Sequence, residues 1–180
     1  MESFWRHSIA CGIIAKILAV YRRDANVERF FVAGILHDIG RLIIFTSMPD
    51  TAQELLERCG NDKELLFRKE REVMGFDHAD VGEALLKEWK LPTSLREMVS
   101  THHNPLRAKH FPVESAAVHV ADIIAHSMQL GNSGDHLVPP LEPKAWEVLD
   151  FSPAILTSVL DQTERQFGAA MELIQQDARA

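Results

Sequence analysis

The stretch FVAGILHDIGRL, residues 31–42, decides the fold class of this chain. Apolar residues fill its first half, and a histidine and an aspartate, His37 and Asp38, follow them directly. Phe30 and Ala33 precede His37 by seven and four residues, a spacing that places all three on one face of a helix. One histidine on an apolar face is usually a packed core residue, so its meaning depends on whether other polar side chains join it.

Apolar residues recur with a helical period along nearly the whole chain, and no useful length of sequence alternates as a strand does. The pattern predicts helices at about residues 4–22, 27–46, 50–59, 62–74, 78–90, 92–103, 113–130, 142–149 and 153–176. We predict Asp50 and Asp77 as N-caps, and Gly60 and Gly75 as C-terminal stops of helices. The sequence therefore predicts an all-α fold built as a helical bundle.

The most loop-like part of the chain is residues 131–140, which contain glycine, asparagine, serine and two prolines. We expect this loop to separate a metal-binding core, residues 1–130, from a C-terminal helical extension, residues 131–180. The chain has 180 residues, of which 46% are hydrophobic, and this is enough material for one sizeable core. We therefore expect the extension to pack on the same domain.

Charge and cysteine content limit the partners and the compartment. The formal net charge is −7, and the basic clusters, Arg22–Arg23 and Arg68–Arg71, lie beside acidic residues. A nucleic-acid duplex or an anionic membrane attracts a concentrated basic surface, so we expect neither as a partner.

The two cysteines, Cys11 and Cys59, form no CxxC pair and fit a cytoplasmic location. We find no signal peptide, and we expect no apolar run that approaches the ~20 residues needed to span a bilayer.

The apolar surroundings of His37 recur at other histidines and at a second aspartate. Each of the following residues extends or lies within an apolar helical stripe: His7, His78, His102, His103 and Asp122. Together with Asp38 they make five imidazoles and two carboxylates, and burying these without partners would cost roughly several kcal/mol each. A shared metal would supply the missing partner for all of them.

The seven residues divide into two predicted metal sites. We expect one ion to be surrounded by His7, His37, Asp38 and Asp122. We expect the other ion to be held by Asp38, His78, His102 and His103. Asp38 is the predicted bridge because a carboxylate has two oxygens. Imidazole and carboxylate donors suit two divalent transition-metal ions, whether Fe, Mn, Zn, Ni or Co. Two such ions about 3.5–4 Å apart can activate water and clamp a phosphate.

At these residues the sequence resembles the HD superfamily of metal-dependent phosphohydrolases. The signature of that superfamily is an early histidine, a His-Asp pair and a later aspartate. His7, the pair His37–Asp38 in LHDIG, and Asp122 in VHVAD match it in order. His78 in FDHADVG and His102–His103 in THHNP resemble the additional ligands of the binuclear branch, which includes the HD-GYP cyclic-di-GMP phosphodiesterases. The resemblance implies an HD-domain helical bundle with a dinuclear-type metal site between its helices.

The residues between the ligands are more similar still to the HDOD group. The following segments carry this likeness: FWRHSIACGIIAKILA, FVAGILHDIGRL, GFDHADVGEALLKEWKLP, HHNP and ADIIAHSMQLGNSGD. The resemblance runs from about Phe4 to about Phe151. It implies a bacterial signalling or regulatory module. Many HDOD proteins lack a complete ligand set, whereas this chain retains one.

Three departures from the family patterns affect the expected activity. Asn104–Pro105–Leu106 stand where HD-GYP proteins have the GYP motif, which argues against efficient cyclic-di-GMP hydrolysis. Arg41 stands where HD phosphodiesterases often have a lysine, and an arginine can still bind phosphate. HDOD domains normally carry a helical region before the WRHS segment, with which this chain almost begins. We therefore expect an apolar surface that another domain or a second copy, as in a homodimer, could cover.

Other residues near the predicted ligands have alternative interpretations. His119 and His126 share a helix with Asp122, and each could reach the site, support a ligand through a hydrogen bond, or simply pack. Cys11 follows His7 by one turn and could lie near the site, although cysteine is more often a small core residue. We expect no ligand role for the following residues: Asp80, His110 and His136.

Two functions remain open from the sequence. The first is a signalling module in which metals hold the helices together, with signalling protein domains as partners. The second is a phosphohydrolase or phosphodiesterase that acts on a nucleotide or another phosphate-containing small molecule. In that enzyme Asp38 and Arg41 would be the catalytic residues, Asp38 at the metals and Arg41 at the phosphate.

Overall fold

The computed structural model describes residues 2–177, except the side chains at 61, 62 and 177. Within this part of the chain the structure is all-α and contains no strand, as the sequence predicts. The α-helices are α1 (Glu2–Tyr21), α2 (Val27–Leu36), α3 (Ile39–Ser47), α4 (Pro49–Asp62), α5 (Leu66–Met74), α6 (His78–Glu88), α7 (Thr93–Thr101), α8 (Pro112–Ser127), α9 (Pro143–Leu149) and α10 (Ile155–Asp177). A short 3-10 helix, Pro105–Arg107, lies between α7 and α8.

The single helix predicted at 27–46 is two helices, α2 and α3, with His37 and Asp38 in the turn between them. The break arises because the Arg41 amide donates to the Asp38 carbonyl oxygen three residues back, at 2.9 Å, which starts a new helical turn. The prediction of one continuous helix is therefore wrong. The break leaves Asp38 at the N-terminal end of α3 instead of in the middle of a helix.

Two of the four predicted helix ends are confirmed and two are wrong. The Asp77 side chain accepts from the amides of α6 in a capping box with Asp80, and Gly75 ends α5 with a φ of 81°. Asp50 is not an N-cap, because Pro49 already occupies the first turn of α4. Gly60 does not stop that helix, which continues to Asp62.

Close approaches between helices position the region around His37. At Gly34 of α2, an added β-carbon would lie 2.7 Å from the Cys11 carbonyl oxygen of α1. At Gly40 of α3, an added β-carbon would overlap the carbonyl oxygen of His78 at the start of α6. Only glycine fits at these two crossings, which flank His37–Asp38 and bring α1 and α6 to them.

The main core forms around α1, which packs against α2, α8 and α10. Ile14 and Leu18 of α1 are fully buried there, and so are Leu149 of α9 and Val159 of α10. The C-terminal helices thus belong to the same hydrophobic cluster as α1. The boundary that we place near residue 130 stays a prediction.

Two segments are long and apolar enough to cross a membrane by length and composition alone, Glu2–Tyr21 and Val27–Ser47. The expectation that no apolar run approaches this length is therefore wrong. The protein itself buries 67% of the first window and 50% of the second, and core helices of a folded bundle commonly pass the same test.

Candidate metal centre

The structure brings all seven predicted ligands together where four helices and the turn between α2 and α3 meet. They come from α1, the turn between α2 and α3, the first residue of α6, the end of α7 and the middle of α8. Six of them have a relative exposure of 3% or less: His7, His37, Asp38, His78, His102 and Asp122. His103 is partly buried and lies nearest to solvent.

A first group of donors forms between α1, α2 and α8. His7 Nε2 lies 3.1 Å and His37 Nε2 lies 3.5 Å from Asp122 Oδ1. Cys11 Sγ lies 3.9 Å from His37 Nε2 and 4.0 Å from Asp122 Oδ1. One donor atom from each of these four residues lies within 4.8 Å of the others, which is close enough for all to bind one ion.

A second group of donors forms between α3, α6 and the end of α7. Asp38 Oδ1 lies 3.0 Å from His78 Nε2 and 3.7 Å from His102 Nε2, and His103 Nε2 lies 2.8 Å from His78 Nε2. The donor atoms of these four residues also lie within 4.8 Å of one another. They could hold a second ion.

Asp38 lies between the two groups. Its Oδ2 faces the first group, 3.3 Å from His37 Nε2 and 3.9 Å from His7 Nε2, while its Oδ1 faces the second. This placement is compatible with a bridging carboxylate.

Hydrogen bonds outside the two groups fix the orientation of three imidazoles. The Nδ1 atoms of His37 and His102 lie 2.7 Å from the carbonyl oxygens of Gly34 and Val99. The Nδ1 atom of His78 lies 2.6 Å from Glu70 Oε2. Carbonyl and carboxylate oxygens only accept, so each Nδ1 carries the proton and donates. In the neutral form of each ring, the Nε2 lone pair would point into the site, as metal binding requires.

The second group contains a donor atom that other residues leave without a hydrogen bond. His102 Nε2 is buried and makes no hydrogen bond within the described part of the chain, whereas both Asp38 oxygens have ion-pair contacts with His78 and His37. Burial and the positive charges of His37 and His78 lower the pKa of His102 to about 3. Burial and His102 lower the pKa of His103 well below its usual value. Both rings are therefore neutral at physiological pH, and neutral imidazole is a ligand that divalent transition-metal ions accept.

Protons are the alternative partners for the carboxylates. Burial and Arg41 lower the pKa of His78, but Glu70 and Asp38 outweigh them and raise it to about 9. A cation that binds here has to displace such protons. Protonation of His78 would still leave His102 Nε2 without a partner, and a metal ion supplies one.

Arg41 lies beside Asp38 and links the metal centre to the loop at 131–140. Its Nε lies 3.3 Å from Asp38 Oδ1, its Nη1 donates to Ser133 Oγ at 3.0 Å, and its Nη2 pairs with Asp135. The guanidinium group is only 1% exposed. The sequence places Arg41 near the site, but nothing in its spacing shows the pairing with Asp135.

His119 and His126, which share α8 with Asp122, lie outside both donor groups but contact residues of those groups. His126 Nδ1 lies 3.0 Å from Asp122 Oδ1. His119 donates from Nδ1 to the His102 carbonyl oxygen at 2.7 Å, and its Nε2 accepts from the Glu142 amide at 3.0 Å. Both therefore belong to the hydrogen-bonded surroundings of the ligands.

Sequence reasoning missed two residues of the site, Glu70 behind His78 and Asp135 behind Arg41. Its spacing placed Cys11 near His7, but a core role was the favoured interpretation. Asp135 ends a segment that resembles HDOD sequence, which is a usable signal. Glu70 lies in the charged helix α5, where spacing does not distinguish it from its neighbours. Asp80 lies outside both donor groups, as we expected, in an ion pair with Arg71 at 3.0 Å.

The helical bundle and the clustered histidines and aspartates define a domain of the HD-superfamily type. The profile of the HDOD domain family matches residues 1–105, which is more than half of the chain. The chain therefore belongs to the HDOD family.

One relative is similar in sequence, and a second is similar in sequence and fold. An uncharacterized protein of Treponema pallidum (strain Nichols) is 24% identical over 104 residues, which cover 57% of this chain and 20% of that protein. The solved structure of an HDOD domain protein of unknown function from Geobacter sulfurreducens has a TM-score of 0.79 and 26% identity. That match covers 93% of this chain and 61% of the Geobacter protein, so the chain spans only part of both relatives.

Two further solved structures support the fold alone. A protein from Marinobacter aquaeolei VT8, provisionally described as a signal transduction protein, has a TM-score of 0.78 and 16% identity over 94% of this chain and 38% of its own. A protein from Shewanella amazonensis SB2B, provisionally described as a phosphohydrolase, has a TM-score of 0.64 and 21% identity over 89% of this chain and 62% of its own.

Proposed function

We propose that this chain is a bacterial HDOD signalling domain in which two divalent transition-metal ions hold α1, α3, α6, α7 and α8 together. The observation that carries the proposal is the buried donor set. In particular, His102 Nε2 faces the site without a hydrogen bond. Leaving such an atom buried and unpaired costs about 1–3 kcal/mol, which a bound cation would offset.

The proposed ligands are those that the sequence indicates. One ion is held by His7, His37, Asp38 and Asp122, and the other by Asp38, His78, His102 and His103. The donor types are compatible with Fe, Mn, Zn, Ni or Co. Glu70 and the carbonyl oxygens of Gly34 and Val99 orient the imidazoles toward the ions.

The enclosure of the site favours a regulatory role over catalysis. A catalytic metal keeps a position open for substrate, whereas six of the seven ligands are at most 3% exposed. Arg41, our candidate for contacting phosphate, is buried in its pairing with Asp135 and Asp38. In this proposal the ions stabilise the packing of the bundle, and partner domains bind differently to the metal-bound and metal-free forms. The proposed location is the cytoplasm, and the proposed partners are signalling protein domains or a second copy of the chain.

One observation supports a phosphohydrolase as the second candidate. The partly exposed His103 borders a surface depression of about 250 Å³, lined also by Arg68, Asn104 and His119. A phosphate ester in this depression would lie beside the second group, with Arg68 as an exposed cation. When bound, the ions would supply Lewis-acid activation of the phosphate. Asp38 would hold the ions and Arg41 would neutralise charge behind Asp38.

Two measurements on the same preparations test the proposal. The first is metal analysis of protein purified without chelator, for which we expect close to two ions per chain. The second is an assay of cyclic and linear nucleotides with the protein loaded separately with Mn, Fe, Zn and Ni. We expect no turnover, but a large loss of thermal stability when the metal is removed. Metal-specific turnover would favour the phosphohydrolase instead, and a metal content near zero in every preparation would remove the basis of both candidates.

A further inference from the structure

Cys11 lies in the polar centre of the bundle, although cysteine more often serves as a small apolar residue. It follows His7 by one turn of α1 and is fully buried. Its Sγ lies 3.9 Å from His37 Nε2 and 4.0 Å from Asp122 Oδ1. The other cysteine, Cys59, lies in a separate hydrophobic cluster with Leu55 and Leu66. The two cysteines therefore have different surroundings, and only Cys11 faces potential metal ligands.

The spacing of the first group suits a common ion. Zinc binds sulfur at about 2.3 Å and imidazole nitrogen at about 2.0–2.1 Å, so a tetrahedral angle separates the two donors by about 3.6 Å. The observed separation of Cys11 Sγ and His37 Nε2 is 3.9 Å. The separations of 3.1 and 3.5 Å from Asp122 Oδ1 to the two imidazoles likewise bracket the roughly 3.4 Å expected for a tetrahedral site.

We infer that the Cys11 thiolate is a ligand of the first ion, together with His7, His37 and Asp122. As the metal–sulfur bond forms, the thiol gives its proton to water, and the ion gains an anionic donor. This inference rests on the proposed metal centre and replaces Asp38 by Cys11 among the ligands of the first ion. Cys11 completes a four-donor set for the first ion without Asp38, so that Asp38 is free to bind the second ion through Oδ1.

A thiolate changes which metal the first site prefers. Sulfur is a soft donor that suits Zn, Co and Fe, whereas Mn prefers oxygen donors. The second group contains only imidazoles and a carboxylate, so the two sites should differ in metal preference. We therefore expect the first site to select zinc over manganese more strongly than the second.

The chain offers a direct spectroscopic test because it has two cysteines. The metal-free protein is titrated with Co²⁺ while its ultraviolet and visible absorption is recorded, using the unaltered chain, Cys59→Ser and Cys11→Ser. We expect the unaltered chain and Cys59→Ser to show a sulfur-to-cobalt charge-transfer band in the near ultraviolet. Cys11→Ser should lack this band. Because Cys11 is the remaining thiol in Cys59→Ser, that variant decides the question even if Cys11→Ser does not fold.

The outcomes separate this inference from the proposed function. Cobalt uptake by Cys59→Ser without a charge-transfer band overturns the thiolate ligand but leaves the metal centre in place. A band of equal strength in Cys11→Ser also overturns it. Failure of every variant to bind cobalt overturns both the thiolate ligand and the proposed metal centre.

Competition between zinc and manganese provides a second readout. We expect the preference of the first site for Zn²⁺ over Mn²⁺ to fall at least about tenfold in Cys11→Ser, because serine supplies no soft donor. Cys59→Ser should keep the full preference. An unchanged preference in a folded Cys11→Ser would contradict a sulfur ligand.

Discussion

His102 is the donor whose surroundings most favour the proposed cation. Its Nδ1 is held by the Val99 carbonyl oxygen, its Nε2 has no hydrogen bond, and its low pKa keeps the ring neutral. We therefore expect His102→Ala to lose about one metal ion per chain, measured by elemental analysis after purification without chelator. His136→Ala changes an exposed histidine outside both donor groups and should keep the full metal content. Equal metal content in the two variants would contradict the ligand role of His102.

Glu70 acts on the metal centre through His78. Its Oε2 accepts hydrogen bonds from His78 Nδ1 at 2.6 Å and from the His78 amide at 2.9 Å. Glu70→Gln keeps the shape but removes the charge that fixes the tautomer, so we expect metal affinity to fall about 10–100-fold. The measurement is a competitive titration against a chromophoric chelator. Glu88→Gln, at an exposed position on α6, is the control and should bind metal normally. If Glu70→Gln bound metal as tightly as the unaltered chain, the tautomer of His78 would have to be fixed by a group other than Glu70.

The convergence of these seven residues could be predicted because each lies on or extends an apolar helical stripe, where an unpaired imidazole or carboxylate stands out. Cys11 gives no such signal, because cysteine is itself common in cores. Glu70 and Asp135 act through partners on other elements, and periodicity within one helix carries no information about those contacts. The sequence therefore indicates which residues converge, but not the hydrogen bonds that hold them.

Among the helices, the crossing of α3 over α6 controls the position of Asp38 relative to His78. A β-carbon at Gly40 would overlap the His78 carbonyl oxygen, and backbone cannot move aside as a flexible side chain can. We expect Gly40→Ala to lower the free energy of unfolding by about 3 kcal/mol, measured by urea denaturation of the metal-free protein.

Gly168→Ala is the matched control for that variant. Gly168 lies inside α10, and an added β-carbon there would meet nothing within 4 Å. Alanine should therefore raise the free energy of unfolding by about 0.5–1 kcal/mol through its better helix propensity. If Gly40→Ala behaved like Gly168→Ala, the close crossing of α3 and α6 would be wrong.

Helix boundaries illustrate what periodicity alone misses. The apolar pattern continues through His37–Asp38, so it predicts one helix where the chain forms α2 and α3. The break depends on local backbone hydrogen bonding and on the glycine crossings, neither of which changes the period. The helix stop predicted at Gly60 is wrong, because a glycine inside a helix costs only about 1 kcal/mol. The helix α4 therefore continues through Gly60 to Asp62.

At the scale of the whole molecule, composition and periodicity predict the all-α class, and the resemblance of several segments to HDOD sequence predicts the family. They do not show that α9 and α10 enter the same hydrophobic cluster as α1, since that depends on side chains far apart in sequence. Composition and periodicity also mislead about membrane-spanning segments. Glu2–Tyr21 is long and apolar enough to cross a membrane, yet the protein buries 67% of this window.

Metal binding should stabilise the whole bundle, because the two donor groups join α1, α3, α6, α7 and α8. A ligand whose free concentration is about 100 times its Kd adds about 2.7 kcal/mol to the free energy of unfolding. For a domain of this size, that addition raises Tm by about 5–11 °C. We expect removal of the metal by a chelator to lower Tm by at least this amount, measured by circular dichroism. Adding back the metal should restore Tm, and chelator added to protein that is already metal-free should cause no shift. An unchanged Tm after complete metal removal would mean that protons on His7, His37 and His78 balance the carboxylates without a metal, and that the buried donors are a structural ionic cluster.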